Sequence, residues 1–177
     1  VELAVAEMIR GGTTCANENY FFPDVIAATY RRMGFRAVIG LPVIDFPTAW
    51  ATTSDEYFSR AVEVHDALRG EPLLTTAFVP HAPYTVSDEN FERIRILADQ
   101  LDIPVHLHTH ETAHEVEEAV AKDGIRPFAR LQKLGIVNER LVAVHMTQLT
   151  DGEIAACAVA GVSVVHCPES NLKLASG

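Results

Sequence analysis

The sequence predicts an α/β chain built on a parallel sheet, and three observations carry that reading. Short β-branched runs alternate with amphipathic stretches of helical length, as successive βα units require. Polar and ionisable residues fall at the C-terminal end of one strand after another: Asn17 and Glu18, His81, His108 with His110 and Glu111, His145, and His166. No low-complexity tract, charge block or Pro/Ser-rich linker interrupts the alternation, so no internal domain boundary is expected. A doubly wound sheet and a (β/α)8 barrel are both made this way, but the doubly wound sheet concentrates its site at one crevice. Dispersal of polar residues over so many strand ends therefore favours a barrel.

The elements follow in order. Apolar Leu3, Val5, Ala6 and Ile9 mark a helix over Glu2 to Arg10 with a Gly11-Gly12 stop, and a short strand follows over Thr13 to Asn17. Pro23 opens a second helix that ends at Gly34. The strand Arg36 to Val43 leads into an irregular loop through Thr53, and Ser54 is placed as N-cap of a helix to about Arg69, with Gly70 as its stop. After the strand Leu73 to Val79 comes PHAPYT, and Ser87 caps a helix reaching Leu101 in a box-like Ser87-x-x-Asn90. The strand Val105 to Thr109 precedes helical stretches at His114 to Lys122 and Ile125 to Leu134. The strand Leu141 to His145, a helix from Thr150 to Ala160 and a strand Ser163 to His166 complete about six βα units.

Charge and length exclude several function classes. Fourteen Lys and Arg against 24 Asp and Glu leave a net charge of −10 with no basic cluster, which argues against a partner that is a nucleic acid or an anionic membrane surface. No stretch approaches the roughly 18 apolar residues of a membrane span, and VELAVAEMIRGG lacks the pattern of a signal peptide, so a cytoplasmic protein is expected. The three cysteines Cys15, Cys157 and Cys167 form no CxxC pair and are expected as buried small hydrophobes in a reducing compartment. No GxGxxG or GxxxxGK[ST] occurs, so a nucleotide-phosphate loop is not supported.

The densest chemistry lies in VHLHTHET, residues 105–112. Strand periodicity puts His106, His108 and His110 on one face, where a metal or a hydrogen-bond network must satisfy three imidazoles. Glu111 follows at the strand end, where a carboxylate beside a metal-bound water shuttles protons; its alternative is a helix-entry charge. His145 emerges from an apolar strand and can converge with His108 on the preceding strand of a barrel. His81 sits in a loop stiffened by Pro80 and Pro83, which suits a substrate contact. His166 and Asn171 are further candidates for the mouth, whereas His65 and His114 fall on helices among charged residues and are expected to be solvated. Trp50 and Tyr84 are aromatic, with core packing expected for both.

Four segments, PHAPYTVSDE, PVHLHTHET, LVAVHMTQL and VVHCPESNLKLASG, each at a strand end, resemble the amidohydrolase superfamily. They are most similar to its branch of 5-methylthioadenosine/S-adenosylhomocysteine deaminases and triazine or ammeline hydrolases. The resemblance implies a (β/α)8 barrel of the metal-dependent hydrolase type, with a small β-sandwich assembled from the chain ends. It implies zinc as cofactor, with His108 as one metal ligand, Glu111 and His145 as catalytic residues, and His81 with Glu111 on the substrate. His106, His110, His166 and Asn171 remain residues of the mouth. The SNLKL segment, Ser170 to Leu174, corresponds to the stretch after the seventh barrel strand.

The resemblance also implies a zinc-binding HxH on the first barrel strand and a zinc-binding Asp on the eighth, and within residues 1–177 the only HxH patterns are the overlapping pair at His106, His108 and His110. A complete barrel takes about 250 residues. The expectation is therefore a partial barrel, approximately strands 2 to 7, with the whole of residues 1–177 belonging to the central part of a catalytic domain and its first and last strands and sandwich absent. The parent that the resemblance implies is a homo-oligomeric hydrolase of C–N bonds other than peptide bonds. It would deaminate a purine nucleoside through a metal-bound hydroxide, with ammonia as product. An s-triazine or ammeline hydrolase and a guanine or cytosine deaminase are the alternatives within the superfamily, and a non-catalytic truncated barrel is the alternative from another class.

Overall fold

The computed structural model describes residues 1–176, and the chain divides into two compact units, Val1–Val79 and a second that starts at Pro80. In the first unit, α1 (Glu2–Arg10) precedes β1 (Cys15–Glu18), α2 (Pro23–Met33), β2 (Arg36–Val43), α3 (Ser54–Ala67) and β3 (Leu74–Pro80). The strand order is that of the sequence, and β1 runs parallel to β2 with Cys15 opposite Arg36. The apolar period of α2 buries Ile26, Ala27 and Tyr30, and α3 buries Tyr57, Phe58 and Ala61. Nearly every residue of β2 is buried, as both faces of a covered parallel strand should be.

Two glycines serve this unit for different reasons. Gly34 ends α2 at φ 64°, the left-handed conformation in which a side chain is strained. Gly40 in β2 is needed for space: a Cβ there would lie 2.2 Å from the Glu18 carbonyl oxygen.

The second unit contains α4 (Asp88–Leu101), β4 (Val105–Thr109), α5 (Ala113–Asp123), α6 (Pro127–Lys133), β5 (Leu141–His145), α7 (Asp151–Ala160), β6 (Ser163–Val165) and α8 (Pro168–Leu174). Here β4 pairs with β5 and β5 with β6, all parallel, with Val105 opposite Leu141 and Val142 opposite Ser163. Phe91, Ile94, Leu107, Phe128, Leu131 and Leu141 fill its core.

Hydroxyl caps fix four helix starts. Thr53, Ser87, Thr112 and Thr150 accept from the backbone N–H groups of Glu56, Asn90, Glu115 and Glu153, respectively. The cap of α3 is therefore Thr53, one residue before the expected Ser54. The short α8 has no counterpart in the sequence pattern, because seven residues opened by Pro168 give too few turns for a periodic signal.

Other expectations need correction. His65 is not a solvated helix residue, because its Nδ1 shares a 2.7 Å hydrogen bond with the buried Thr76 hydroxyl. His114 is exposed as expected, with Glu118 at 3.2 Å. Cys157 is buried, but Cys15 is exposed and Cys167 only half-buried. Trp50 lies in the core, whereas Tyr84 is exposed. Among the described residues no helix is long and apolar enough to cross a membrane.

Candidate functional site

The parallel register of β4 and β5 sets Thr109 opposite His145 and His108 opposite Val144, so two strand ends deliver imidazoles side by side. The His108 and His145 ring centroids are 5.5 Å apart. One pleat back along β4, His106 stacks on His108 at 5.6 Å. Period-two geometry accounts for that pair, but it stops at the end of the strand.

His110 is the exception to the expected common face. It lies one residue past β4 at φ 52°, fully buried, and its Nε2 accepts the Phe128 N–H at 3.2 Å. Phe128 is in the first turn of α6, where Arg126 offers no side-chain cap and Pro127 has no N–H. His110 therefore caps a helix and does not line the mouth with His106 and His108. A residue that accepts at Nε2 carries its proton on Nδ1 if it is neutral.

His145 bridges two other candidates. Its Nε2 is 3.3 Å from Glu111 Oε1, and its Nδ1–H donates to Asn171 Oδ1, also at 3.3 Å. Asn171 is buried in α8, which brings it back to the end of β5. His81 is exposed, with Nδ1 3.0 Å from the Thr85 hydroxyl and its ring set edge-on to Tyr84 at 6.4 Å. His166 lies exposed one residue beyond β6.

Burial governs the electrostatics. It pushes His106 down to about 4, with the neighbouring His108 charge adding to the effect. His108 is lowered chiefly by burial and further by His145 and His81, while the Glu111 carboxylate opposes the shift. Neutral imidazole is the form that ligates a divalent metal. The chemistry of His108 therefore fits a zinc ligand, with a carboxylate and a second imidazole beside it. Among the described residues no group of three His, Cys, Asp or Glu is arranged to hold a metal ion.

Three residues at the site escaped the sequence reading. Glu115 accepts from the backbone N–H groups of His110 and Glu111 at 3.1 and 2.8 Å. Thr147 donates its hydroxyl to the carbonyl oxygens of His110 and Glu111 at 3.0 and 2.9 Å. Arg130 ties down the loop bearing His81 and Tyr84: its guanidinium donates to Pro83 O, to Val86 O at 2.9 Å and to Asp88 Oδ1 at 2.7 Å. Only Glu115 had a signal in the sequence, the Thr112-x-x-Glu115 spacing of a capping box.

Successive βα units with imidazoles and a carboxylate at their strand ends define a partial barrel of the metal-dependent hydrolase type. The Amidohydrolase family model matches residues 1–177, and the chain belongs to that family. It is 46% identical over 176 residues to a 5-methylthioadenosine/S-adenosylhomocysteine deaminase of Saccharophagus degradans, covering 99% of this chain and 40% of the relative. Among solved structures it is similar to an adenosine deaminase from Xanthomonas campestris with bound zinc, at 71% identity and a TM-score of 0.97, covering 99% of this chain and 40% of that one. An atrazine chlorohydrolase from Arthrobacter aurescens complexed with zinc, at 18% identity and a TM-score of 0.89 over 98% of this chain and 43% of its own, shares the fold. The chain thus spans about 40% of the length of the first of these relatives.

Proposed function

We propose that the complete protein carrying this chain is a zinc-dependent hydrolase that deaminates a purine nucleoside of the 5-methylthioadenosine or S-adenosylhomocysteine kind. The observation that carries the reading is the convergence of His108, Glu111 and His145 at two adjacent strand ends, with Glu111 and His145 3.3 Å apart. The similarity to relatives named as deaminases of such nucleosides supports the substrate class. On this reading the 177 residues belong to the central part of the catalytic domain, and His108 is one of several metal ligands.

His108 would be one of the residues that hold a divalent metal, which when bound would supply Lewis-acid activation of water at neutral pH. The remaining steps fall to the chain. His145 orients the attacking water and accepts from it, held in place by Asn171 on its other nitrogen. Glu111, 3.3 Å from His145, delivers the proton released by the attacking water to the ring nitrogen, and then moves the hydroxyl proton left on the attacked carbon to the departing amino group. Water and the aminopurine nucleoside become the hydroxypurine nucleoside, in its keto form, and ammonia. His81, beside the exposed Tyr84, contacts the heterocycle or its sugar.

Ammonia release from methylthioadenosine, adenosylhomocysteine and guanine, with chloride release from a chlorotriazine assayed side by side, tests this reading in the complete, zinc-loaded protein. Turnover of the two adenosine derivatives is expected. Turnover of guanine or the chlorotriazine with neither nucleoside consumed would overturn the assignment.

A further inference from the structure

All four main-chain polar groups of the dipeptide His110-Glu111 are bonded by just two side chains with help from one amide. The Glu115 carboxylate takes both N–H groups, one on each oxygen, at 3.1 and 2.8 Å. The Thr147 hydroxyl reaches both carbonyl oxygens, and the Thr147 N–H also donates to His110 O at 3.0 Å. Gln148 Nε2 donates to the Thr147 hydroxyl at 3.1 Å, which leaves the hydroxyl proton directed at the two carbonyls.

The two side chains come from different βα units. Glu115 lies in the first turn of α5, and its own N–H is capped by Thr112, so its position follows from the start of that helix. A capping-box glutamate ordinarily reaches back to the cap residue's N–H. Here it passes that group and bonds the two residues before the cap. Thr147 lies two residues beyond His145, on the segment that continues β5. His145 and Met146 are left-handed, at φ 75° and 54°, and the Met146 N–H donates to Thr109 O at 3.2 Å. The backbone that ends β5 is thus spliced onto the backbone that ends β4.

We propose that Glu115 and Thr147 are positioning residues that hold the Glu111 carboxylate in line with His145. The inference rests on the reading of Glu111 and His145 as the proton-handling pair. Either side chain of that pair could rotate if its backbone were free, and a misplacement of about 1 Å can lower a rate a hundredfold. Thr147 fixes both members together, because the residue that grips the Glu111 carbonyl is separated from His145 by Met146 alone. Burial of Glu115 supports a specific role, since burial holds its carboxyl above the usual range and the nearby Glu111 charge adds to that. A neutral side chain would cap the helix without bringing a second carboxylate beside Glu111.

The test compares Thr147→Val, which removes the hydroxyl and keeps the shape, with Thr147→Ser, which keeps the hydroxyl, in the complete protein. Thr147→Val and Glu115→Gln should each lower kcat about ten- to a hundredfold, with KM, zinc content and Tm near those of the wild type. Thr147→Ser should stay within about threefold of wild-type kcat. Amide exchange in the metal-free protein gives an arm independent of turnover: residues 108–112 should exchange about tenfold faster in Thr147→Val and at the wild-type rate in Thr147→Ser.

Full kcat in Thr147→Val, a serine variant as impaired as the valine one, or unaltered exchange over residues 108–112 would overturn the proposal. A kcat loss accompanied by equal losses of zinc and Tm would overturn it as well, because it would mark a general structural role. If the wild type leaves both adenosine derivatives unchanged, the functional reading fails, and the exchange arm still decides the positioning.

Discussion

The imidazole of His110 accepts the main-chain N–H of Phe128 at 3.2 Å and so closes the first turn of α6 from the end of β4. An imidazole placed next to candidate metal and catalytic residues thereby serves a helix. Its replacement tests folding more than chemistry.

His110→Leu keeps the volume but leaves a buried amide without an acceptor. A loss of about 1–3 kcal/mol is expected from such an unsatisfied group. His114→Ala, at an exposed position on α5, should stay within about 0.5 kcal/mol of wild type. Urea midpoints of the two variants provide the comparison, and equal midpoints would remove the capping role.

Arg130 governs the loop that carries His81 and Tyr84. The guanidinium spreads its donors over Pro83, Val86 and Asp88 and lies 5.4 Å from the Phe91 ring centroid. Lysine cannot make three such bonds from one planar group. Arg130→Lys should raise KM about threefold to tenfold in the complete protein and change kcat less, because substrate binding loses its fixed loop while Glu111 and His145 keep theirs. Steady-state kinetics read the split, and a fall in kcat alone would contradict it.

Glu153 links stability to pH through Arg126. Burial raises its carboxyl, but two bonds from the Arg126 guanidinium at 2.8 and 2.9 Å and the Thr150 N–H outweigh this, and the net shift is downward. A carboxylate with a lowered folded pKa contributes stability that is present above the unfolded value, near 4.5, and lost as pH falls through the folded one. Glu153→Gln should therefore cost about 1.5–3 kcal/mol at pH 7, and the gap from wild type should narrow below pH 4.5. Denaturation at a series of pH values measures both. A gap that widens on acidification would show the sign to be wrong.

Glu111→Gln and His145→Asn should each reduce kcat about a hundredfold to ten-thousandfold in the complete protein, the range of general acid–base groups. The double variant should lose little more than either single one if the 3.3 Å pair acts as a unit. Kinetics at saturating substrate decide this, and losses that multiply would separate the two roles.

The sequence and the structure agree best where periodicity is long and unambiguous. Arg36–Val43, Val105–Thr109 and Leu141–His145 are strands over the residues expected, because continuous apolar runs flanked by turns leave little choice of period. The two part company at strand ends. Extending the period of two past Thr109 put His110 on the wrong side, since nothing in the residue type announces a histidine at φ 52°. The charged neighbours of His65 suggest a solvated residue, while its partner Thr76 is eleven residues away on a strand. Thr147 left no trace because its function depends on which two carbonyls the sheet brings beside it. Asn171 is expected only as a residue of the mouth, and its bond to His145 depends on the turn of α8, which is too short a segment to announce itself.

Four helices begin with a hydroxyl of their own, from Thr53, Ser87, Thr112 and Thr150. Where a helix starts is thus decided separately from what the preceding segment contacts. Residues in those segments can be exchanged without shifting the phase of the helix behind them, so a new ligand preference can arise while the scaffold is inherited unchanged.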